Sequence, residues 1–261
     1  MTSETPVLAL EGVSKSFGPV QALADVDFEV RPAEVVALVG DNGAGKSTLV
    51  KAIAGINPPD SGRILFEGRP VRITRPTDAV ALGIATVYQD LALCDNLDVV
   101  ENLFLGREEV VSGPGALTQA LDETAMEHRA HQLLDRLAVT IVNLRSEVGT
   151  LSGGQRQQVA IARSLLGDPK VVLLDEPTAA LGVRQTAQVL ELVRRLRDEG
   201  HGVLVVSHNL GDVFEVADRI FVLRLGKQAG DYRVSEVSQE EVVAAITGAR
   251  SAGNGAQGDG R

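Results

Sequence analysis

The stretch Val35–Thr48 reads VVALVGDNGAGKST. Its first five residues are a continuous apolar run, which predicts a buried strand, and the next eight match the spacing Gly-x-x-x-x-Gly-Lys-Ser/Thr. Glycines let such a loop curl so that backbone N–H groups point inward, and the following helix N-terminus adds positive potential. A polyphosphate fits that cradle. The predicted phosphate-binding residues are Gly40, Asp41, Asn42, Gly43, Ala44, Gly45, Lys46, Ser47 and Thr48.

Two side chains of this loop have distinct predicted roles. Lys46 would reach the β- and γ-phosphates as a point charge, and the hydroxyl of Ser47 would ligate Mg²⁺. A glycine-rich turn without a ligand is the alternative interpretation. The apolar strand before the loop and the helical pattern after it favour nucleotide binding.

A second apolar run ends in two acidic residues. Val171–Leu174 is followed by Asp175 and Glu176. An acid at the end of a strand beside a phosphate loop holds the metal, which makes Asp175 the Mg²⁺ candidate. Glu176 is placed to orient or deprotonate the water that attacks the γ-phosphate. Acidic residues are also common in ordinary turns at strand ends, so the pair indicates a metal site only in combination with the phosphate loop.

Composition narrows the class of protein. The 261 residues include 35 acidic and 25 basic ones, a formal net charge of −10. Broad attraction to nucleic acid or to an anionic membrane needs clustered Lys and Arg, so we expect no nucleic-acid partner. The longest apolar runs are far shorter than the roughly 20 residues that cross a bilayer. The single cysteine, Cys94, and an N-terminus unlike a secretory signal predict a reducing, cytoplasmic compartment.

Short apolar runs alternate with stretches of helical period, which predicts an α/β architecture. One domain is expected over residues 5–248, with a helical insert at about residues 90–163, where strand signals vanish, and a disordered glycine-rich tail at residues 249–261. Strands are predicted at Val7–Lys15, Val26–Val30, Val35–Val39, Arg63–Phe66, Ile84–Tyr88, Val171–Leu174, Val203–Val206 and Arg219–Arg224. Helices are predicted at Lys46–Ala54, Gln119–Leu137, Gly154–Leu166, Arg184–Glu199, Leu210–Ala217 and Gln239–Thr247.

Further motifs make the chain resemble a known family. Leu151–Gln155 reads LSGGQ, which is the signature of the ATP-binding-cassette (ABC) ATPases. Gln89 is similar to that family's Q-loop glutamine, and His208 is similar to its switch histidine. With the phosphate loop and the acidic strand end, five elements in order cover about residues 7–230. The resemblance implies a P-loop NTPase with a RecA-like α/β core, an antiparallel β subdomain and an inserted α-helical subdomain.

The resemblance also implies roles for individual residues. Two copies are expected to bind head to tail, with each ATP between the phosphate loop of one and the signature of the other. Gln89 would touch Mg²⁺ or water, His208 would bind the γ-phosphate and orient Glu176, and Phe17 would stack on adenine. Alternatively, His208 is a polar cap and Phe17 a core residue. The implied catalytic residues are Lys46, Glu176 and His208; the metal ligands are Ser47, Gln89 and Asp175; the further nucleotide contacts are Phe17, Gln89, Ser152, Gly153, Gly154 and Gln155.

One position departs from the family pattern. After Asp175–Thr178 the family usually has Ser-Ala-Leu-Asp, whereas this chain has AALG at Ala179–Gly182. The missing acid normally helps one cassette to communicate with the phosphate loop of the other. Hydrolysis at Glu176 remains chemically possible, and the departure predicts looser coupling between the two ATP sites.

Residues 87–107 and 206–219 resemble the ATPases of bacterial carbohydrate importers, within them the monosaccharide branch of ribose, xylose and fructose systems. Many members fuse two cassettes, whereas this chain has one, as fructose-type ATPases do. The resemblance implies transmembrane permease subunits as partners, a second copy as homodimer, and a substrate-binding protein that acts only indirectly. Attachment is expected at the cytoplasmic face of the membrane, through the permease. Asp90–Arg107 would form the groove for a permease helix, although its apolar side chains also suit a local core.

ATP and Mg²⁺ are therefore the expected cofactors, and ATP hydrolysis that powers monosaccharide import is the expected function. Two alternatives stay open at this point. One is the ATPase of a non-sugar transport system. The other is a nucleotide-dependent dimerisation module with little turnover, which Gly182 and Phe17 would suit.

Overall fold

The computed structural model describes residues 5–111 and 120–249, and it contains two sheets. The first is antiparallel, in the order β2-β1-β4-β5, and the second has six strands in the order β10-β9-β3-β8-β7-β6. In the second sheet only β10 is antiparallel to its neighbour. The strands are β1 (Leu8–Phe17), β2 (Val20–Val30), β3 (Val35–Val39), β4 (Ser61–Phe66), β5 (Arg69–Val71), β6 (Ile84–Val87), β7 (Val171–Asp175), β8 (Gly202–Val206), β9 (Arg219–Arg224) and β10 (Lys227–Arg233).

Helices cover the large sheet and complete the domain. The helices are α1 (Lys46–Ile53), α2 (Pro76–Ala81), α3 (Val99–Phe104), α4 (Glu123–Arg136), α5 (Gly153–Leu165), α6 (Val183–Asp198), α7 (Leu210–Val216) and α8 (Gln239–Thr247), with 3-10 turns at Val148–Thr150 and Val234–Glu236. No helix in the described part of the chain is both long and apolar enough to cross a membrane.

The central strand β3 is buried on both faces and so belongs to two cores. Val36 and Leu38 pack with α1 and the antiparallel sheet, whereas Val35, Ala37 and Val39 pack with the layer of α3 to α8. Parallel strands covered on both sides read as continuous apolar runs, which is why this segment is VVALV. The phosphate loop therefore leaves the most deeply buried strand of the sheet.

A largely buried arginine joins the two sheets at the edge opposite the phosphate loop. Arg219 Nε donates to Glu34 Oε1 at 2.8 Å, its Nη1 donates to Asp231 at 2.8 Å, and its Nη2 donates to the carbonyl of Glu29 at 2.6 Å. Burial opposes the charge, but the two carboxylates hold the pKa of Arg219 above its ordinary value. The network fixes the start of β3 against the ends of β2 and β10.

The α/β architecture predicted from the sequence is confirmed. The strands β3 and β9 match the predicted bounds, and β7 and β8 differ from them by one residue each. The described part of residues 90–163 contains α3, α4 and α5, with isolated bridges instead of a ladder.

Some predicted bounds are wrong. The helix predicted from Gln119 begins at Glu123, because Leu121 forms a bridge with Val110 and the carboxylate of Asp122 caps the helix by accepting from Ala125 N at 3.0 Å. Gln119 itself and residues 250–261 of the predicted tail lie outside the described residues. The strands β5 and β10 and the helices α2 and α3 were not predicted from the sequence.

Candidate functional site

The loop between β3 and α1 lies tightly against two neighbouring strands. Gly40 has a φ of 152°, and a side-chain carbon there would collide with the carbonyl oxygen of Leu223 in β9. Gly45 has a φ of 106°, and a Cβ there would lie 2.6 Å from the carbonyl oxygen of Ala22 in β2. Only glycine fits both requirements at these positions. The spacing of the motif thus has a local steric cause as well as a chemical one.

The turn between β9 and β10 braces the same loop from behind. Gly226 N donates to the carbonyl of Ala44 at 2.9 Å, and the carbonyl of Gly226 accepts from Ala24 N at 2.8 Å. One residue therefore links the tip of the loop to the antiparallel sheet. This brace fixes the path of the loop before any ligand binds.

Lys46 extends back across the loop that precedes it. Its Nζ donates to the carbonyls of Gly40 at 2.7 Å and Asp41 at 3.1 Å. Within the loop, Asn42 N donates to Asp41 Oδ1 at 2.8 Å and Ala44 N donates to the carbonyl of Asp41 at 3.1 Å. The ammonium group is thus held at the mouth of the loop, where a phosphate oxygen could replace a carbonyl as its acceptor.

The start of α1 offers its N–H groups to an anion. Gly45 is the N-cap in a left-handed conformation and provides no side-chain acceptor for the first turn. Helix N-termini carry unsatisfied N–H donors and positive potential, which together favour phosphate. Ser47 is exposed and Thr48 is half-buried, so the hydroxyl of Ser47 is open to a ligand.

Glu176 and His208 form the pair that the resemblance implied. Glu176 follows β7, has a φ of 52°, and donates its N–H to the carbonyl of Val206 at 3.0 Å. His208 follows the neighbouring strand β8, and its Nδ1 lies 2.7 Å from Glu176 Oε2. The carboxylate is 17% exposed and the imidazole 72% exposed. A left-handed conformation in a non-glycine residue is costly, and here it turns the glutamate toward the histidine.

Asp175 lies beside the phosphate loop in a partly desolvated position. Burial raises the pKa of its carboxyl, the charge of Glu176 acts in the same direction, and Lys51 and Lys46 oppose both. Helix α1 contacts β7, so the end of β7 lies near the helix that follows the loop. A cation bound at this carboxylate would relieve the repulsion between the two acids.

The donor set fits Mg²⁺. A hydroxyl from Ser47 and a carboxylate from Asp175 are hard oxygen ligands, and Mg²⁺ in proteins usually takes one or two such ligands together with phosphate oxygens and water. The metal ligands stay a prediction, supported by this chemistry.

Gln89 lies at the same edge of the sheet. It is exposed and follows β6, the strand next to β7. Strands β6 and β7 are parallel with Val87 opposite Leu174, so Tyr88 and Asp175 leave the sheet side by side. Burial raises the pKa of Tyr88, a hydrogen bond with Thr86 opposes this shift, and the charge of Asp175 adds to it. The sequence-predicted residues Lys46, Asp175 and Gln89 therefore come from three elements that end at one edge.

The signature residues lie elsewhere, at the start of α5. Ser152 Oγ accepts from Gln155 N at 3.3 Å, and Gln155 Oε1 accepts from Ser152 N at 3.1 Å, which is a capping box. Gly154 is buried, and a Cβ there would lie 2.9 Å from Gln185 Cβ in α6. The structure thus places these residues against α6 and the preceding turn, and it does not bring them to the phosphate loop of their own chain.

Gly182, where the family has an acid, begins α6. It is exposed, and its N–H donates to Gln185 Oε1 at 3.1 Å. The neighbouring Val183 is 91% exposed. The glutamine side chain thus accepts from the N-cap N–H, whereas glycine has no side-chain oxygen to accept from the N–H groups of the first turn, as an N-cap aspartate would.

Phe17 is not a core residue. It ends β1, is 46% exposed, and lies 5.7 Å from Lys15 Nζ, measured to the ring centroid. The hairpin of β1 and β2 that carries it also touches Gly45 through Ala22. A partly exposed aromatic ring on a hairpin that approaches the phosphate loop suits stacking on a base.

One contact between the segments that follow β7 and β8 was not predicted from the sequence. Thr178 Oγ1 donates to Asp212 Oδ2 at 2.7 Å, which links the turn after Glu176 to the helix after His208. This hydrogen bond and the contact between Glu176 and His208 connect the same two segments. An acid in the first turn of α7 was the available signal, because helix N-termini favour acids.

Comparison with known proteins identifies the family of the chain. A family model described as ABC transporter matches residues 23–179. The chain is 45% identical to the fructose import ATP-binding protein FrcA of Rhizobium meliloti, over 95% of this chain and 96% of that protein. It is 46% identical to the xylose/arabinose import ATP-binding protein XylG of Sulfolobus acidocaldarius, over 92% of this chain and 94% of that protein. The ribose import ATP-binding protein RbsA 2 of Escherichia coli O157:H7 is 42% identical, over 94% of this chain but 47% of its own length.

Solved structures give the same result. A nucleotide-free ATP-binding cassette from an ABC transporter superposes with a TM-score of 0.78 at 28% identity, covering 93% of this chain and 95% of that one. A dimeric cassette in a post-hydrolysis state, bound to ADP and phosphate, gives a TM-score of 0.70 at 26% identity, covering 87% of this chain and 98% of that one.

The fold and the comparisons together define a nucleotide-binding ATPase, with a glycine-rich loop between β3 and α1. The chain belongs to the ABC transporter family.

Proposed function

We propose that this chain binds and hydrolyses ATP to power a membrane importer of a monosaccharide. The observation that carries the proposal is the 2.7 Å contact between Glu176 and His208 at the edge where the phosphate loop and Asp175 meet. Relatives that match nearly the whole chain are named as fructose and xylose/arabinose import proteins, which supports a monosaccharide as the cargo.

ATP would lie along the loop with its γ-phosphate at the sheet edge. Lys46 would exchange its contacts with the carbonyls of Gly40 and Asp41 for the β- and γ-phosphate oxygens. Phe17 would stack on adenine. Ser47, Asp175 and Gln89 would hold Mg²⁺, which would neutralise the phosphate charge that develops during transfer. The half-buried carboxylate of Asp175 is better matched to a cation than to solvent.

Glu176 would take the proton of the attacking water. The water oxygen bonds to the γ-phosphorus, the bond from that phosphorus to the β-γ bridging oxygen breaks, and ADP leaves with the electron pair. His208 would hold the carboxylate through Nδ1 while its exposed ring reaches toward the γ-phosphate. Fixing the base within hydrogen-bond distance of its substrate water is the main requirement of such a step.

Two copies would complete each ATP site. Ser152, Gly153, Gly154 and Gln155 lie away from the phosphate loop of their own chain, and the N-terminus of α5 suits a phosphate oxygen from another copy. The dimeric cassette with ADP and phosphate among the similar structures supports this arrangement. Gly182 and the exposed Val183 would lie near the same interface.

The permease would dock beside Gln89. A groove of about 220 Å³ lies there, lined among others by Leu91, Ala92, Leu105 and Arg107. Leu105 is 45% exposed, whereas Leu103 and Phe104 of the same segment are buried core. A short permease helix would cover the exposed apolar side chains and place the ATPase at the cytoplasmic face of the membrane.

Phosphate release by the purified chain, alone and with its permease in proteoliposomes, tests the ATPase. Turnover should rise with the permease and fall by at least about a hundredfold in Glu176→Gln, because the general base is lost. Glu240→Gln, which changes an exposed carboxylate in the first turn of α8, is the matched control and should keep wild-type turnover. Wild-type turnover in Glu176→Gln would contradict the assignment. ATP binding and dimerisation without phosphate release in either setting would instead indicate a dimerisation module.

Uptake of labelled fructose, xylose, arabinose and ribose by the same proteoliposomes tests the cargo. ATP-dependent uptake of one of them is expected when the substrate-binding protein is added. Stimulation of ATP turnover by a disaccharide or an amino acid, and by none of these sugars, would refute the monosaccharide assignment.

A further inference from the structure

The segment just after Gln89 is held by an arginine from the helix that begins at the signature. Arg163, near the end of α5, donates from Nη1 to the carbonyl of Ala92 at 2.7 Å and from Nη2 to the carbonyl of Leu91 at 3.0 Å. One planar guanidinium therefore grips two consecutive peptide groups. Guanidinium geometry suits two acceptors side by side, which an ammonium group cannot match.

The turn that Arg163 holds contains an alanine in a conformation that this residue adopts rarely. Ala92 has a φ of 49°, in the left-handed region. Its N–H donates to Asp90 Oδ1 at 3.3 Å, a long bond that holds it weakly. The two bonds from Arg163 are the shorter ones on this turn. We infer from these lengths that the arginine supplies most of the hold on the backbone beside Gln89.

The arginine is also partly removed from solvent. Burial lowers the pKa of the Arg163 guanidinium; Cys94 opposes this shift, and the charge of Arg107 adds to it. Removing a charged group from water is unfavourable unless its hydrogen bonds replace the lost hydration. Here those replacements are the carbonyls of Leu91 and Ala92, so movement of this turn and hydration of Arg163 are linked.

Arg163 belongs to the helix that begins at the signature, contacts the turn after Gln89 and lines the proposed permease groove. Together with Leu91, Ala92 and Arg107 it lines the groove that our proposed function gives to the permease. Helix α5 runs from Ser152 of the signature to Arg163, which at 1.5 Å per residue is about 16 Å. A rigid helix thus has a proposed ATP contact at one end and the turn after Gln89 at the other.

We propose that Arg163 is a positioning residue that links the permease groove to Gln89: contact of the permease with the turn at Leu91 and Ala92 is transmitted to Gln89 and, along α5, to the signature. The inference rests on the proposed function. It concerns how docking changes turnover, and it leaves the chemistry of hydrolysis to Glu176 and His208.

The first test is a split between kcat and KM in proteoliposomes. Arg163→Met keeps much of the apolar stem and removes both donors. We expect permease-stimulated kcat to fall about tenfold, toward the rate of the chain alone, while KM for ATP and the basal rate stay within about twofold, because the phosphate loop is untouched. Arg163→Lys keeps the charge but loses the paired geometry, and it should lose most of the stimulation as well. Arg136→Met, at an exposed arginine of α4 that does not line the groove, is the matched control and should keep full stimulation.

A second substitution separates positioning from general damage. Ala92→Gly in the Arg163→Met background should restore at least about a third of the stimulated rate, because glycine adopts a left-handed φ without the arginine. Hydrogen exchange of the chain alone should speed up at residues 90–94 in Arg163→Met and slow again in the double variant, with exchange at residues 40–48 unchanged. A merely structural role for Arg163 would give neither the rescue nor the local pattern.

The outcomes distinguish the two proposals. A wild-type chain that the permease fails to stimulate would overturn the proposed function. Normal stimulation of wild type together with equal stimulation of Arg163→Met would overturn only the role of Arg163. A KM that rises in parallel with the loss of kcat, or a double variant no better than Arg163→Met, would also overturn that role.

Discussion

Gly154→Ala tests whether the second glycine of the signature is fixed by packing. A Cβ at this buried position would lie 2.9 Å from Gln185 Cβ and 3.0 Å from Gln185 Cγ. Carbon atoms in contact prefer about 3.5–4.0 Å, so α5 and α6 must separate by roughly 0.5–1 Å where the helices meet. The near contact is the Cβ, close to the backbone, so a rotamer change at Gln185 cannot relieve it.

Two opposing energies decide the magnitude. Overpacking a well-filled interface lowers the free energy of unfolding by about 1–3 kcal/mol. Replacing glycine by alanine inside a helix returns up to about 1 kcal/mol. We therefore expect a net loss of about 1 kcal/mol. The displacement of the α5 N-terminus matters more, because it moves Ser152 and Gly153, which we propose to contact the ATP of the other copy.

Urea unfolding and ATP-dependent dimerisation are the assays. Dimerisation is measured by size-exclusion chromatography in the Glu176→Gln background, where slow hydrolysis lets an ATP-bound dimer accumulate. Gly154→Ala should weaken this dimer about tenfold. Gly153→Ala is the control for stability, because its Cβ would lie 3.3 Å from Leu181 Cδ2, the flexible end of a side chain. Its free energy of unfolding should stay within about 0.5 kcal/mol of wild type. A Gly154→Ala chain that is more stable than wild type and dimerises normally would refute the packing argument.

Three further substitutions have defined expectations. Phe17→Ala should weaken ATP binding about fivefold or more, measured by fluorescent-nucleotide titration, because base stacking is worth about 1–3 kcal/mol; an unchanged affinity would remove Phe17 from the site. Asp175→Asn should raise the free energy of unfolding of the metal-free chain at pH 7. Burial raises the pKa of the Asp175 carboxyl above 3.8 in the folded chain, so the folded chain holds this proton more tightly than the unfolded one. The carboxyl therefore costs the wild type stability as the pH rises from 3.8 past the folded-state pKa, and the amide has no such cost. Urea titrations at pH 3.5 and pH 7 should show the difference only at the higher pH. Arg219→Met should cost about 3 kcal/mol in the same assay because it leaves Glu34 and Asp231 uncompensated, whereas Arg63→Met, at a pair that is 69% and 45% exposed, should cost under about 1 kcal/mol; similar losses in both would contradict the weight given to burial.

The sequence predicts best where burial dictates composition. The strands β7 and β8 are covered on both faces, so their residues are apolar without interruption and their bounds follow directly. By contrast β10 reads KQAGDYR and pairs with only one neighbour, and an edge strand open to solvent has no apolar signature. Helix α3 reads VVENLF, which is short and β-branched; its signal was the capping box of Asp98 and Glu101.

The parts of the candidate site also differ in how well the sequence predicts them. The spacing of the glycines alone predicts the phosphate loop, because any such loop needs residues without a Cβ at these positions. The approach of His208 to Glu176 needed the resemblance, since 32 residues separate them in the chain and only the order of strands brings them together. Arg163 binds the backbone carbonyls of Leu91 and Ala92, more than 70 positions away in the chain. Every residue has a backbone carbonyl, so no sequence pattern could predict this contact.

The brace at Gly226 has a consequence for how the protein is made. The phosphate loop is synthesised early, but the peptide that supports its tip at Ala44 emerges about 180 residues later. Strand β3 likewise waits for β8 and β9, its two neighbours in the sheet. Pairings this distant along the chain form slowly, and domains complete their folding as units. The nascent chain on the ribosome therefore has no finished nucleotide pocket until the last hairpin has emerged, and a chain stopped before Gly226 should fail to retain ATP.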